Sequence, residues 1–196
     1  MEKKAIETFC PVDRAQWREW LQVHHRTKAS VWLIYYRKKT KLSTLTWSDA
    51  VDEALCFGWI DSTSRPIDDE KFMQFFTRRK ANSVWSKINK GKVQRLIDEG
   101  LMMPAGLESI EVAKRNGSWA ILDDVEELKI PKDLEKAFKS QQGAKACFER
   151  LSRSVKKAML YRLVLAKRPE TREKRITDIM TSLAAQSKPA KKKTEK

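Results

Sequence analysis

Residues 58–89 hold the chain's densest mixture of aromatic, acidic, cationic and hydroxyl side chains. Gly58-Trp59-Ile60-Asp61 leads to Arg65, then to Phe76-Thr77-Arg78-Arg79-Lys80, then to Ser83-Val84-Trp85-Ser86-Lys87-Ile88-Asn89. On a hairpin followed by a helix, Asp61 and Arg65 share one strand and Arg78 and Arg79 leave the other. Ser83, Trp85, Ser86 and Asn89 then occupy the first turns of the helix. Free amides at a helix start, beside forked arginine donors, suit a phosphate or a carboxylate. Trp59 and Trp85 supply flat apolar walls. These nine residues, Trp59, Asp61, Arg65, Arg78, Arg79, Ser83, Trp85, Ser86 and Asn89, form a candidate anion pocket. The same types admit a structural reading, in which Asp61 pairs with an arginine to pin the hairpin and the tryptophans belong to the core.

A second group is basic. Ala166-Lys167-Arg168-Pro169-Glu170-Thr171-Arg172-Glu173-Lys174-Arg175-Ile176 reads as a tight turn between two helices, with Lys156, Lys157 and Arg162 upstream. Lys156, Lys157, Arg162, Lys167, Arg168, Arg172 and Arg175 together make a candidate surface for nucleic acid or an acidic partner. Glu170 and Glu173 stand at helical spacing from several of these cations, so an ordinary solvated face is the competing reading.

Other chemistry has little support. The chain contains no GxSxG, Walker A, GxGxxG or HExxH pattern. His24 and His25 are adjacent, so on a helix they point about 100° apart and cannot chelate one metal together. Cys10, Cys56 and Cys147 are odd in number and widely spaced, which argues against a disulfide framework or a zinc site. Cys56, inside Ala54-Leu55-Cys56-Phe57, reads as a small buried hydrophobe. No cofactor is expected, and the only obvious titratable group for a reaction in the pocket is Asp61.

The elements that must position these residues follow from periodicity. Asp13 caps a helix over 12–26 with Trp17, Trp20, Leu21 and His24 on one face. Residues 31–36 read as a strand buried on both faces. Thr46 caps a helix that Gly58 stops, and residues 59–64 and 71–77 form a hairpin. Ser83 is expected to cap a helix to about Glu99, with Val84, Ile88, Val93, Leu96 and Ile97 facing the core. A further helix runs from Pro104 to Asn116. Beyond an acidic stretch, short helices begin near Pro131, residue 142, Ser152 or Ser154, and Pro169. Val155, Met159, Leu163 and Ala166 share one face, and Ile176, Ile179, Met180 and Leu183 another.

The fold class expected is therefore α+β, a small antiparallel sheet packed with helices and followed by a C-terminal helical bundle. The boundaries expected are 1–122 for the α+β part, 123–130 for an acidic linker, 131–187 for the helical part and 188–196 for a lysine-rich tail without stable structure. With 41% hydrophobic residues the chain can bury a core. The net charge is +15, of which residues 129–196 supply +13 and residues 1–128 only +2. That asymmetry points to an anionic partner for the C-terminal part or to a basic tail. No apolar run is long enough to span a bilayer, and Met1-Glu2-Lys3-Lys4-Ala5-Ile6-Glu7 lacks the apolar stretch of a secretory signal, so membrane insertion is not expected and a cytoplasmic location is.

Phe148-Glu149-Arg150-Leu151-Ser152, followed by Ala166-Lys167-Arg168-Pro169-Glu170-Thr171-Arg172 through Arg175-Ile176, resembles the C-terminal signature of a bacterial family, the YdeI/OmpD-associated or bacteriocin-protection proteins (OmdA type). Thr46-Trp47, Glu53 through Asp61, Arg78-Arg79 and Ser83 through Asn89 fit its N-terminal part, so the resemblance spans about residues 8–187. Thr77 departs from the proline usual in the family before the arginine pair. The resemblance implies a role in bacteriocin protection or envelope stress and implies no reaction, cofactor or catalytic residue. The function expected is that of a non-enzymatic binding protein with a small anionic ligand or an acidic protein partner. The alternatives are nucleic-acid binding by the C-terminal helices and an enzyme of unfamiliar design using the N-terminal pocket.

Overall fold

The computed structural model describes residues 7–40 and 45–187, and the chain divides into two units, Met1–Ala120 and Ile121–Lys196. The expected lysine-rich tail, the first six residues and Lys41 of the basic run after Tyr36 lie outside the described residues.

Among its described residues, unit 1 packs four α-helices with a four-stranded sheet. Helix α1 (Arg14–His24) starts at Asp13, whose carboxylate accepts the Gln16 amide and so satisfies an otherwise orphaned donor. Helix α2 (Trp47–Cys56) starts the same way at Thr46, which accepts the Asp49 amide. The strands are β1 (Thr8–Phe9), β2 (Ser30–Tyr36), β3 (Trp59–Pro66) and β4 (Lys71–Arg78), in the order β1-β2-β4-β3. β2, β4 and β3 are antiparallel, as expected, and the two-residue β1 adds a parallel edge.

β2 alternates in burial along its length rather than being buried on both faces. Val31, Leu33 and Tyr35 point into the core, where β4 matches them with Phe76, Gln74 and Phe72. Trp32, Ile34 and Tyr36 lie on the opposite face and stay half-buried, because the helices share the core with the first face only. The core is built on Trp17, Leu21, Leu55, Trp59 and Phe76, all fully buried, and Cys56 is buried among them as expected. Burial, with the nearby Glu53 charge, pushes its thiol up to about 11.

Two buried carboxylates tie α2 to its neighbours. Glu53 accepts from Arg14 Nε (2.5 Å) and Arg18 Nη1 (2.6 Å) of α1. Asp52 accepts from Lys92 Nζ (2.5 Å) and Arg95 Nη2 of helix α3 (Lys87–Asp98). Each carboxylate meets two cations, the condition under which burying a charge is tolerated.

Helix α3 begins three residues later than the sequence suggests. Ser86, not Ser83, is the cap, accepting the Asn89 amide at 3.2 Å, while Ser83 sits in the preceding turn. The later start leaves Val93 and Leu96 buried and turns Ile88 and Ile97 to solvent. Helix α4 (Pro104–Arg115) follows with Pro104 at its first turn.

Unit 2 is helical: α5 (Asp123–Glu126), α6 (Lys132–Lys139), α7 (Ala144–Arg150), α8 (Arg153–Val164) and α9 (Pro169–Ser187). It buries Leu134, Phe138, Phe148, Leu160, Leu163, Ile179 and Leu183. The stretch expected as an acidic linker contains α5, and Leu122 and Val125, three apart, are buried on one side of it. Ser152 caps α8 by accepting the Val155 amide. The buried residues of α8 are Leu160 and Leu163, whereas Val155 of the expected face is 40% exposed.

Candidate functional site

Unit 1 contains a cleft of about 300 Å³ lined by the C-terminal ends of α1 and α2, the segment leaving β4, and one face of α4. Its back wall is a close helix approach. Gly58 ends α2 at φ +72, where an L side chain is strained, and a Cβ there would stand 2.8 Å from the Ala105 carbonyl oxygen. At Gly106 a Cβ would stand 2.3 Å from the Cys56 carbonyl oxygen. Met103 N–H donates to that same oxygen at 3.1 Å, so the start of α4 is fastened to the end of α2.

Arg79 is the central cation of the cleft. Its backbone N–H donates to Gly58 O at 2.9 Å, which fixes the residue beside the end of α2. Its guanidinium lies 3.7 Å from the Trp85 ring centroid, and Nη2 donates to Val84 O at 2.8 Å. Nη1 is buried and has no hydrogen-bond partner among the described residues. Burial pushes the guanidinium down to about 10, against the pull of the Asp61 charge, so Arg79 remains a cation at neutral pH. A buried cationic donor without an acceptor is costly and rare in a finished fold.

Three other basic side chains line the same cleft. Arg78 donates through Nη1 to Arg26 O at 3.3 Å, and Arg26 and Lys80 complete the set. His25 donates from Nδ1 to Leu21 O at 2.9 Å, which puts its single neutral-state proton there and leaves Nε2 as an acceptor. Its ring stands 5.2 Å from Phe57. Glu108 and Ser109 of α4 face these groups, and Ser109 Oγ donates to Gly106 O at 2.8 Å. The walls are Phe57, Trp85, Ala105 and Val112. The cleft is thus cationic on one side, apolar along its sides and carries one carboxylate on α4.

Of the nine residues expected in an anion pocket, the fold brings Arg78, Arg79 and Trp85 to this cleft. The other six lie elsewhere. Trp59 is fully buried, donating Nε1 to His25 O at 3.1 Å. Asp61 pairs with no arginine; its Oδ2 accepts from Trp47 Nε1 at 2.9 Å and Gln74 Nε2 at 3.0 Å. Arg65 lies over the Trp32 ring at 5.0 Å on the far side of the sheet. Ser83 is in a turn, and Ser86 and Asn89 are joined in the cap of α3. Asp61, the group expected to serve any reaction there, therefore does not line the cleft.

His25, Arg26, Lys80, Glu108 and Ser109 were not foreseen as site residues. A signal for one of them was present: Ser109 stands with Ala105 and Gly106 in a run of small residues at helical spacing, the mark of a close approach. Nothing local marks His25 as facing Arg79.

The seven C-terminal cations are largely engaged within unit 2. Arg172 grips Asp133 with Nε and Nη2 and donates Nη1 to Leu163 O at 3.0 Å. Arg175 donates to Arg162 O, and Arg162 stands 3.8 Å from Asp178. Lys157 pairs with Glu126 at 2.7 Å, and Lys156 donates to Glu149 O at 3.0 Å. Lys167 and Arg168 are exposed at the turn before α9. Among the described residues, no three His, Cys, Asp or Glu side chains gather as a metal site requires, and no helix is long and apolar enough to cross a membrane.

The family model described as bacteriocin-protection, YdeI or OmpD-associated matches residues 127–186. Over those residues the chain is similar to this family. The matched segment covers α6 to α8 and nearly all of α9, including the clamp between the signature residue Arg172 and Asp133. A second family model, described as a domain of unknown function (DUF8412), matches residues 9–109, over half of the chain, and covers the sheet and most of the cleft, so the chain belongs to that family. No curated protein and no solved structure matches the chain.

Proposed function

We propose that this protein is a binding protein for a small anionic ligand with an apolar body, held in the cleft around Arg79. The observation that supports this most directly is the Arg79 guanidinium, stacked on Trp85 and buried with Nη1 unpartnered beside a cavity of about 300 Å³. A carboxylate or phosphate oxygen would supply the missing acceptor, and a charge-assisted bond of this kind is among the stronger polar contacts a site can offer. Arg26, Arg78 and Lys80 add attraction at longer range. Phe57 and Val112 suit an apolar portion of the ligand. The family's bacteriocin-protection name supports a protective role, and the notion of a cytoplasmic site of action stays with that proposal. The two family matches, falling on either side of residue 120, support reading the units as two domains.

The engagement of Arg172, Arg175, Arg162 and Lys157 inside unit 2 favours a structural role for the C-terminal cluster over a nucleic-acid surface. If a reaction takes place in the cleft, its titratable groups are His25 and Glu108.

Titration with inorganic phosphate, nucleoside monophosphates and small aromatic carboxylates, followed by tryptophan fluorescence, tests the proposal. At least one class should change the emission, and Trp85→Phe should remove most of the change. Arg79→Ala should weaken binding about tenfold or more, as expected for losing a hydrogen bond to a charged group. No response from any class, or equal affinity in Arg79→Ala, overturns it.

A further inference from the structure

The face of the sheet turned away from helices α1–α4 has a chemistry of its own. Trp32, Ile34 and Tyr36 of β2 and Met73 and Phe75 of β4 alternate with the core residues and lie side by side on it. Trp32 and Phe75 are directly paired across the two central strands, with ring centroids 4.8 Å apart. Tyr36 is four residues further along β2, about 13 Å away at the usual strand rise.

Cations accompany these rings. Arg65 of β3 lies 5.0 Å from the Trp32 centroid, and Lys71 of β4 lies 5.3 Å from that of Tyr36. The only carboxylate in the four strands, Asp61, is register-paired with buried Phe76, on the core side, and is taken up by Trp47 and Gln74. The nearest acids in sequence are at the hairpin turn, where Asp68 accepts the Glu70 and Lys71 amides at 2.8 and 2.7 Å. Among the described residues of the four strands, this face therefore combines aromatic rings with positive charge and no carboxylate, and the acids Asp68, Asp69 and Glu70 stay at the turn that borders it.

Apolar surface alone would suit many partners. Planar rings interleaved with cations suit a chain of planar, anionic units, because bases stack on aromatic rings while cations meet the phosphates, independently of base sequence. The separation of Trp32 from Tyr36 corresponds to about four base spacings at 3.4 Å each. We propose that this sheet face binds single-stranded nucleic acid, with Trp32, Phe75 and Tyr36 as stacking surfaces and Arg65 and Lys71 as phosphate contacts. The site is independent of the Arg79 cleft, and its engaged aromatics distinguish it from the basic turn before α9.

The test uses the full chain, fluorescein-labelled twelve-nucleotide oligo(U) and oligo(dT), and fluorescence anisotropy at several salt concentrations. Phe75→Ala and Tyr36→Ala should each weaken binding about tenfold, the effect of losing one stacked base, and Arg65→Ala should reduce the salt dependence. Residues 188–196 are identical in every variant, so their lysines cannot produce the difference. Circular dichroism identifies any variant that has lost its fold. Independently, an oligonucleotide carrying 5-iodouridine, irradiated with the unmodified protein, should crosslink to peptides containing Trp32, Tyr36 or Phe75. Absent binding, folded variants with unchanged affinity, or crosslinks confined to residues 131–196 overturn the proposal. So does conversion of a dimer to a monomer by Phe75→Ala with oligonucleotide affinity intact, which would assign the face to a second copy of the chain.

Discussion

At the scale of single residues, the decisive feature is whether a charged group has found its partner. Glu53 and Asp52 each have two, and Arg79 lacks one at Nη1. That contrast separates the paired ionic groups of unit 1 from Arg79, on which the proposed ligand site rests. In unit 2 the Arg172 fork holds the Asp133 carboxyl below the usual carboxylate range, with the Leu134 amide assisting. A depressed carboxylate stabilises the fold above its unfolded pKa and loses that contribution as pH falls through the folded value. Thermal unfolding of the wild type should therefore show a drop below about pH 4 that Asp133→Asn lacks. At pH 7 the variant should be less stable by about 1 kcal/mol or less, since Asp133 is 41% exposed and solvent screens the pair. A pH profile of the melting temperature for both proteins measures this.

At the scale of elements, the cleft depends on where helices begin and how closely they meet. Ser86 carries the cap of α3, so Ser86→Ala should cost about 1 kcal/mol in denaturant unfolding. Ser83→Ala should cost almost nothing, and equal losses would mean the helix starts earlier than described. The α2–α4 contact is the stricter constraint. At Gly106 even a methyl group meets backbone oxygens rather than a side chain that can turn aside. Gly106→Ala should destabilise unit 1 by about 2 kcal/mol or more, read from the denaturation midpoint, and should weaken anion binding because Glu108 and Ser109 shift with α4.

At the scale of the whole molecule, the chain divides into two units that differ in composition and charge. Unit 2 buries an apolar set of its own residues, from Leu122 through Leu183, and unit 1 an aromatic cluster around Trp17 and Trp59. A fragment of residues 121–187 should accordingly give a helical circular-dichroism spectrum and a cooperative thermal transition. Its margin should be small, as expected for a domain of under 80 residues. A flat, non-cooperative melt would show that unit 2 needs unit 1 to fold.

Local patterns determined the helices and strands of this protein because capping and periodicity act over a few residues. Asp13, Thr46 and Ser152 cap where their side chains can reach an amide three positions on, and the paired strands β2 and β4 alternate in burial as strands must. The family signature around Arg168 and Arg172 was legible for the same reason, being contiguous. Local patterning was ambiguous where two serines competed for one helix start, and it could not say which side of the sheet the helices would cover. Arg79 of the expected pocket lines the cleft, but its companions there depend on contacts between segments far apart in sequence. His25 comes from the end of α1 and Glu108 from α4, and only the packing of Gly58 against Ala105 and of Gly106 against Cys56 places them around one cleft. That approach is decided by backbone sterics in three dimensions, to which spacing along the chain is blind. The same packing left Trp32 and Phe75 half-buried on the face away from the helices, so the chain's second candidate site also belongs to the tertiary structure.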